Sequence, residues 1–156
     1  MTFDREIKAT NTEFIDDGIV KFLDGGFRYC KTEGLIEIGV ADLNIRVFKE
    51  MRDDLYVSFG YCWETNFLPD KGTYYFTNSF MYCNYYPSIT KDYNSLYGCE
   101  NIKARDGDML GITVNYDSNS IEFRHNANTL FTTELNINNM PGYFVVGMFA
   151  GRIEIY

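Results

Sequence analysis

The chain has one histidine, His125, and none of its four cysteines stands in a C-x-x-C pair. Zinc sites draw several such ligands together at short spacing, so a zinc site of the usual type is not expected. Basic residues are outnumbered: 14 Lys and Arg face 22 Asp and Glu, a formal charge of −8. With no Lys/Arg cluster to override it, that balance repels phosphate backbones and excludes nucleic acid as the expected partner. The charge favours solubility instead. No apolar run is long enough to span a bilayer, and the charged start "MTFDREIKATNTEF" lacks the apolar stretch of a secretory signal. No N-x-[ST] sequon occurs among the many asparagines. These absences predict an intracellular, cytoplasmic protein without membrane insertion, with Cys30, Cys62, Cys83 and Cys99 reduced.

Catalytic signatures are missing too. There is no G-x-x-x-x-G-K phosphate loop and no G-x-S-x-G nucleophile elbow. His125, in "FRHNAN", reads as an exposed turn histidine, not the base of a triad. Sandwich-fold glycosidases need carboxylates on one face. Glu37 and Asp42 are an odd number of residues apart, which puts them on opposite faces of a regular strand, and Glu154 shares its face with Arg152. The chain is expected to be no enzyme and to need no cofactor.

What is present is aromatic and alternating. Of the 156 residues 46% are apolar and 23% charged, the balance of a folded domain, and 13 Tyr and 13 Phe favour pleated sheet. Period-two patterns recur at Ile36–Ile38–Val40, Leu55–Val57–Phe59, Leu110–Ile112–Val114–Tyr116, Ile121–Phe123 and Ile153–Ile155. "YFVVGMF", residues 143–149, is apolar on both faces and predicts a central strand. "DGG", "PDKG", "RDGD", "DSNS" and "NMPG" supply the turns between strands. One helical expectation arises, over residues 41–55, where alternation gives way to the charged "KEMRDD". The whole predicts a single all-β domain over residues 1–156, an antiparallel two-sheet β-sandwich with little helix, in which residues 1–17 are an N-terminal extension or first edge segment. Within it residues 110–123 form a hairpin whose inward side chains anchor the core.

The stretch "GDMLGITVNYDSNSIEFRHNANTLFTTEL" resembles the C-terminal signature of SPRY (B30.2-like) domains. Gly107, Asp108, Gly111, Ile121, Phe123, Asn126 and Phe131 stand in that family's order, and "GYFVVGMFAGRIEIY" resembles its closing strands. The resemblance covers residues 18–156 and is strongest over residues 107–156. Upstream, "TYYFTNSF" stands where the family has tryptophan–glycine. The resemblance implies a sandwich of the concanavalin-like jelly-roll type, non-catalytic, binding a protein or peptide through loops at one end.

The binding surface is expected in three loops, residues 61–66, 84–94 and 124–128. "NYYPSITKDYNSLYG" mixes tyrosine with turn-forming residues, and tyrosine offers broad contact area at low entropy cost. The expected contact residues are Tyr61, Trp63, Tyr85, Tyr86, Tyr93, Asn94, His125 and Asn126. Two other functions suit the same composition: a lectin-like module binding a glycan, and a structural subunit of a larger complex.

Overall fold

In the hairpin, Ile121 faces Val114 and Phe123 faces Ile112, and all four side chains are buried. Its strands are β9 (Met109–Asn115) and β10 (Ser120–His125). Asn119 takes φ +51 in the turn between them, and the Ser118 amide donates to Asn115 Oδ1 at 2.9 Å. This register is the one that alternation dictates, since a slip by one residue would turn both apolar sets outward.

The computed structural model describes all residues except 7–8, 24–25, 51–52, 64–66, 68, 71–77, 86, 93, 99–102 and 139. Parts of three expected turns, at residues 24–25, 71–72 and 139, therefore lie outside the described residues. The remaining strands are β1 (Thr12–Asp16), β2 (Ile19–Phe22), β3 (Arg28–Lys31), β4 (Val40–Lys49), β5 (Val57–Cys62), β6 (Ser79–Cys83), β7 (Ser88–Lys91), β8 (Asn94–Gly98), β11 (Asn128–Glu134), β12 (Tyr143–Met148) and β13 (Gly151–Ile155). They form two antiparallel sheets, ordered β1-β2-β13-β4-β9-β10-β11 and β3-β12-β5-β6-β7-β8. The fold is an all-β sandwich. No described residue is helical, and among the described residues no helix is long and apolar enough to cross a membrane.

The core between the sheets takes alternate residues from each strand: Leu43, Ile45 and Val47 from β4, Phe59 and Tyr61 from β5, Phe144 and Val146 from β12. Phe59 meets Phe123 edge-on across the gap, with centroids 5.7 Å apart. β5 and β12 are buried on both faces because the outer side of their sheet carries a second apolar cluster of Phe27, Tyr29, Cys62, Met81, Tyr143 and Val145. Phe67 stands edge-on to Tyr143 there, at 5.8 Å. Gly147 has no side chain for a reason of space: a Cβ would come within 2.4 Å of the Tyr29 ring.

Three expectations about elements are corrected. Residues 40–49 are the ten-residue strand β4, not helix. Its inward Leu43, Ile45 and Val47 continue the alternation, and burial of that row outweighs the helical preference of the charged residues that follow. Ile36 makes only an isolated bridge with Gly142, and Ile38 is 85% exposed, so the alternation before Val40 belongs to a loop. Consequently Glu37 lies in no strand and the parity used to separate it from Asp42 does not apply; Asp42 is held instead by Arg124, Nη2 to Oδ1 at 2.7 Å. Residues 84–94 are not one loop, because β7 runs through them. On β13, Arg152 and Glu154 do share a face and pair at 3.0 Å.

Candidate functional site

Antiparallel register decides which loops meet. At one end lie Lys49 opposite Gly151, Arg46 opposite Met109, and Leu110 opposite His125. The other sheet brings Val57 opposite Met148 and Cys83 opposite Ser88 to the same end, through the 50–56 connection and the 149–150 turn. At the opposite end Val40 faces Asn115, Cys62 faces Tyr143 and Ser79, and Lys91 faces Asn94. The three loops expected to form one surface are thus divided. Residues 124–128 and the start of 84–94 share the first end, while residues 61–66 leave from the second.

Two expected contact residues prove to be core. Tyr61 is fully buried, and its hydroxyl donates to the Tyr116 hydroxyl at 2.5 Å. Burial, then this bond, raise the Tyr61 phenol far above its usual value. Trp63 is 7% exposed and packs between Tyr61 and Phe80, with centroids 6.4 and 5.7 Å away. Both rings fill the gap between the sheets, so neither presents a face to a partner. Asn94 is exposed, at the far end, on the edge strand β8. Tyr86 and Tyr93 lie outside the described residues, as do Tyr74, Tyr75 and Phe76.

The first end holds Tyr85, His125 and Asn126. Tyr85 is 43% exposed and packs on Tyr56 at 5.3 Å, and Tyr56 in turn meets Phe149 at 6.2 Å. Phe149 is set there by the β12–β13 turn, where its amide donates to the Tyr56 carbonyl at 3.2 Å and Ala150 takes φ +132. That angle is costly for any residue with a Cβ and persists only where the surroundings enforce it. Next to Tyr56, Leu55 enters a cleft of about 510 Å3 lined by Lys49, Asp53, Asp54, Leu55, Lys103, Ala104, Arg105 and Asp106. Two residues beyond the cleft-lining Asp106, Asp108 holds His125 Nε2 at 2.7 Å. His125 ends β10 with its side chain 14% exposed, so it is a clamped strand residue, not the exposed turn histidine expected.

Asn84 builds this end from beneath, though sequence reasoning placed it at a loop surface. It is fully buried. Its Oδ1 accepts from the Tyr82 hydroxyl at 2.7 Å and the Ala104 amide at 2.8 Å. Its Nδ2 donates to the carbonyls of Leu55 at 2.9 Å and Ala104 at 3.2 Å. One amide therefore joins the 50–56, 84–87 and 103–108 segments. Asparagine is common enough in turns that its identity alone does not mark this role. Tyr56 and Phe149 were also missed, although Tyr56 stands at the outward position between Leu55 and Val57.

No protein-family model and no curated protein matches the sequence. Solved structures do. The SPRY domain of human HERC1 superposes with a TM-score of 0.75 at 15% identity, covering 98% of this chain and 96% of that one. The TRIM65 PSpry domain gives 0.76 at 18% identity, with 99% and 90% covered. A human SPRY domain gives 0.65 at 12%, with 94% and 97% covered.

The chain has the SPRY fold.

Within the SPRY fold, the residues that carried the sequence resemblance have physical work at the first end. Gly107 takes φ +83 in the turn before β9 and donates to the Val47 carbonyl at 2.8 Å. The Asp108 carboxylate accepts from the Arg105 amide at 2.8 Å and from Asn126 Nδ2 at 3.0 Å, besides His125. Burial pushes the Asp108 carboxyl up, but the bonds from Asn126 and His125 outweigh it and hold it below the usual carboxylate value. Asn126 Oδ1 then accepts from the Met109 amide at 2.9 Å. Gly-Asp and the later asparagine are one hydrogen-bonded unit that fixes two turns side by side. Gly111 leaves room on the outer face for Arg124, whose Nε would lie 3.0 Å from a Cβ there.

Proposed function

We propose that this chain is a non-catalytic binding module that recognises a protein or peptide at the cleft end of its sandwich. The observation that carries the proposal is Tyr85: an exposed ring backed by Tyr56 and Phe149, next in sequence to the fully buried Asn84 whose amide bonds the cleft-lining Leu55 and Ala104. Interface energy concentrates in such aromatic anchors, and a rigid surround lowers the entropy lost on binding. The cleft lining, with Lys103 and Arg105 on one segment and Asp53 and Asp54 on the other, offers both signs of charge to a peptide's polar groups. Likeness to SPRY structures supports the same class by analogy of fold.

The test is a pull-down from the native cell with wild type and Tyr85→Ala. Loss of more than about 1 kcal/mol of binding with an unchanged melting temperature supports the proposal. Binding that is untouched by Tyr85→Ala, or a glycan-array signal with no captured protein, overturns it.

A further inference from the structure

We infer that the end opposite the cleft is a second docking surface, fitted to a peptide segment whose apolar side chains are flanked by lysine or arginine. Four apolar side chains stand exposed there: Leu35 at 57%, Ile38 at 85%, Val40 at 60% and Met140 at 43%. They sit on or beside two loops, residues 33–39 and 135–142, whose backbones are tied together. Ile36 and Gly142 exchange amide–carbonyl bonds of 2.7 and 3.1 Å. The Tyr116 amide donates to the Gly39 carbonyl at 2.8 Å, and its hydroxyl donates to the Met140 carbonyl at 2.7 Å while accepting from buried Tyr61. The exposed side chains are thus carried on a fixed main chain. A surface already in place loses little entropy when it binds, and exposed apolar groups gathered in this way mark interaction sites.

Charge identifies the occupant. Loops 33–39, 116–119 and 135–142 contain no lysine or arginine. Glu37 and Asp117 are exposed at this end, and neither has a cationic partner among the described residues. Burial raises the Tyr116 phenol, the bond from Tyr61 opposes that rise, and the charge of Glu37 adds to it, which places Glu37 beside the tyrosine pair. Glu33, also exposed, accepts from the Thr2 hydroxyl at 2.9 Å. A second copy of the chain, itself carrying −8, would set Glu37 against Glu37 across a two-fold axis. A partner bringing cations beside apolar residues meets the surface with complementary charge.

The test selects a random-peptide phage library against the whole chain. It then measures the enriched peptides on wild type, Ile38→Ser, Glu37→Lys and Tyr85→Ala. All three positions are exposed, so melting temperatures serve as the check on folding. The expected result is a class of peptides with apolar residues beside Lys or Arg. Their affinity should fall about tenfold or more in both Ile38→Ser and Glu37→Lys, weaken with added salt, and stay unchanged in Tyr85→Ala. The last arm separates this surface from the cleft. No enriched peptide, enriched peptides without Lys or Arg, or binding indifferent to Ile38 and Glu37 overturns the inference. So does light scattering that shows wild type, but not Ile38→Ser, forming a dimer.

Discussion

Every polar atom of the Asn84 amide is used, in a place water does not reach. Asn84→Ala strands the Leu55 carbonyl and leaves the Ala104 amide and the Tyr82 hydroxyl only their own long contact of 3.4 Å, and each buried group left unpaired costs about 1–3 kcal/mol. Chemical denaturation should therefore show a loss of at least about 2 kcal/mol. A loss near zero would mean that water replaces the amide. Ala127 offers the opposite case. With Asn126 it forms the two-residue turn between β10 and β11, at φ +48 and +66, where the second position favours glycine. Relief of the left-handed penalty, about 1–2 kcal/mol, exceeds the entropy that glycine adds to the unfolded chain, about 0.4–1 kcal/mol. Ala127→Gly should raise stability by roughly 0.5–1 kcal/mol. A pH dependence belongs to this scale as well. Burial raises both Asp42 and Asp108, but bonds from Thr113, Arg124 and Asn44 in one case, and Asn126 and His125 in the other, bring each below the usual carboxylate value. A carboxyl depressed in the folded state stabilises it above the unfolded pKa and loses that contribution as pH falls through the folded one. Stability should decline as pH drops below about 4, and less steeply in Asp108→Asn, read by urea midpoints across that range.

The β9–β10 hairpin makes a sharper test of register than any single turn. Phe123→Ala removes a fully buried ring that meets Phe59 and should cost about 3–5 kcal/mol. Glu122→Ala, on the outer face, gives up a partly exposed ion pair with Arg124 and should cost about 1 kcal/mol or less. Equal losses would contradict the pairing of Phe123 with Ile112. This hairpin was legible in the sequence because one face is core and the other solvent, so period two survives undiluted. β12 was legible for the reverse reason: apolar on both faces, it could only be central. β4 was not, since its outward row of Asp42, Asn44 and Arg46 runs into the charged residues after Lys49, and local composition does not say where a strand stops. The row Ile36, Ile38 and Val40 imitates a strand throughout because loop apolar residues and strand apolar residues look alike until a neighbouring strand is known to be absent.

For the molecule as a whole, the fold class could be read and the surface could not. Rings such as Tyr61 and Trp63 looked like anchors because they flank a strand end. Phe67 packs with Tyr56 and Phe149 on the outer apolar cluster of β3, β12, β5 and β6, so aromatic residues on both faces of that sheet became interior. Which loops share an end depends on pairings between strands far apart in sequence, and no local pattern records those. The order of the sheets has one more consequence. β12 lies between β3 and β5, and β13 between β2 and β4. Of the described strands of the sandwich, the two that emerge after all the others are the ones that bridge the earlier parts of both sheets. Until residue 143 has emerged, β3 and β5 have no strand between them and β2 and β4 none, so the nascent chain carries four unfilled strand edges with their apolar rows uncovered. A chain ending at residue 142 should show the narrow amide dispersion of an unfolded protein, and a native-like spectrum from it would refute this order. Synthesis of this sandwich is therefore a period of exposure that ends in a single late closure, and a chaperone that holds apolar strands has until then to act.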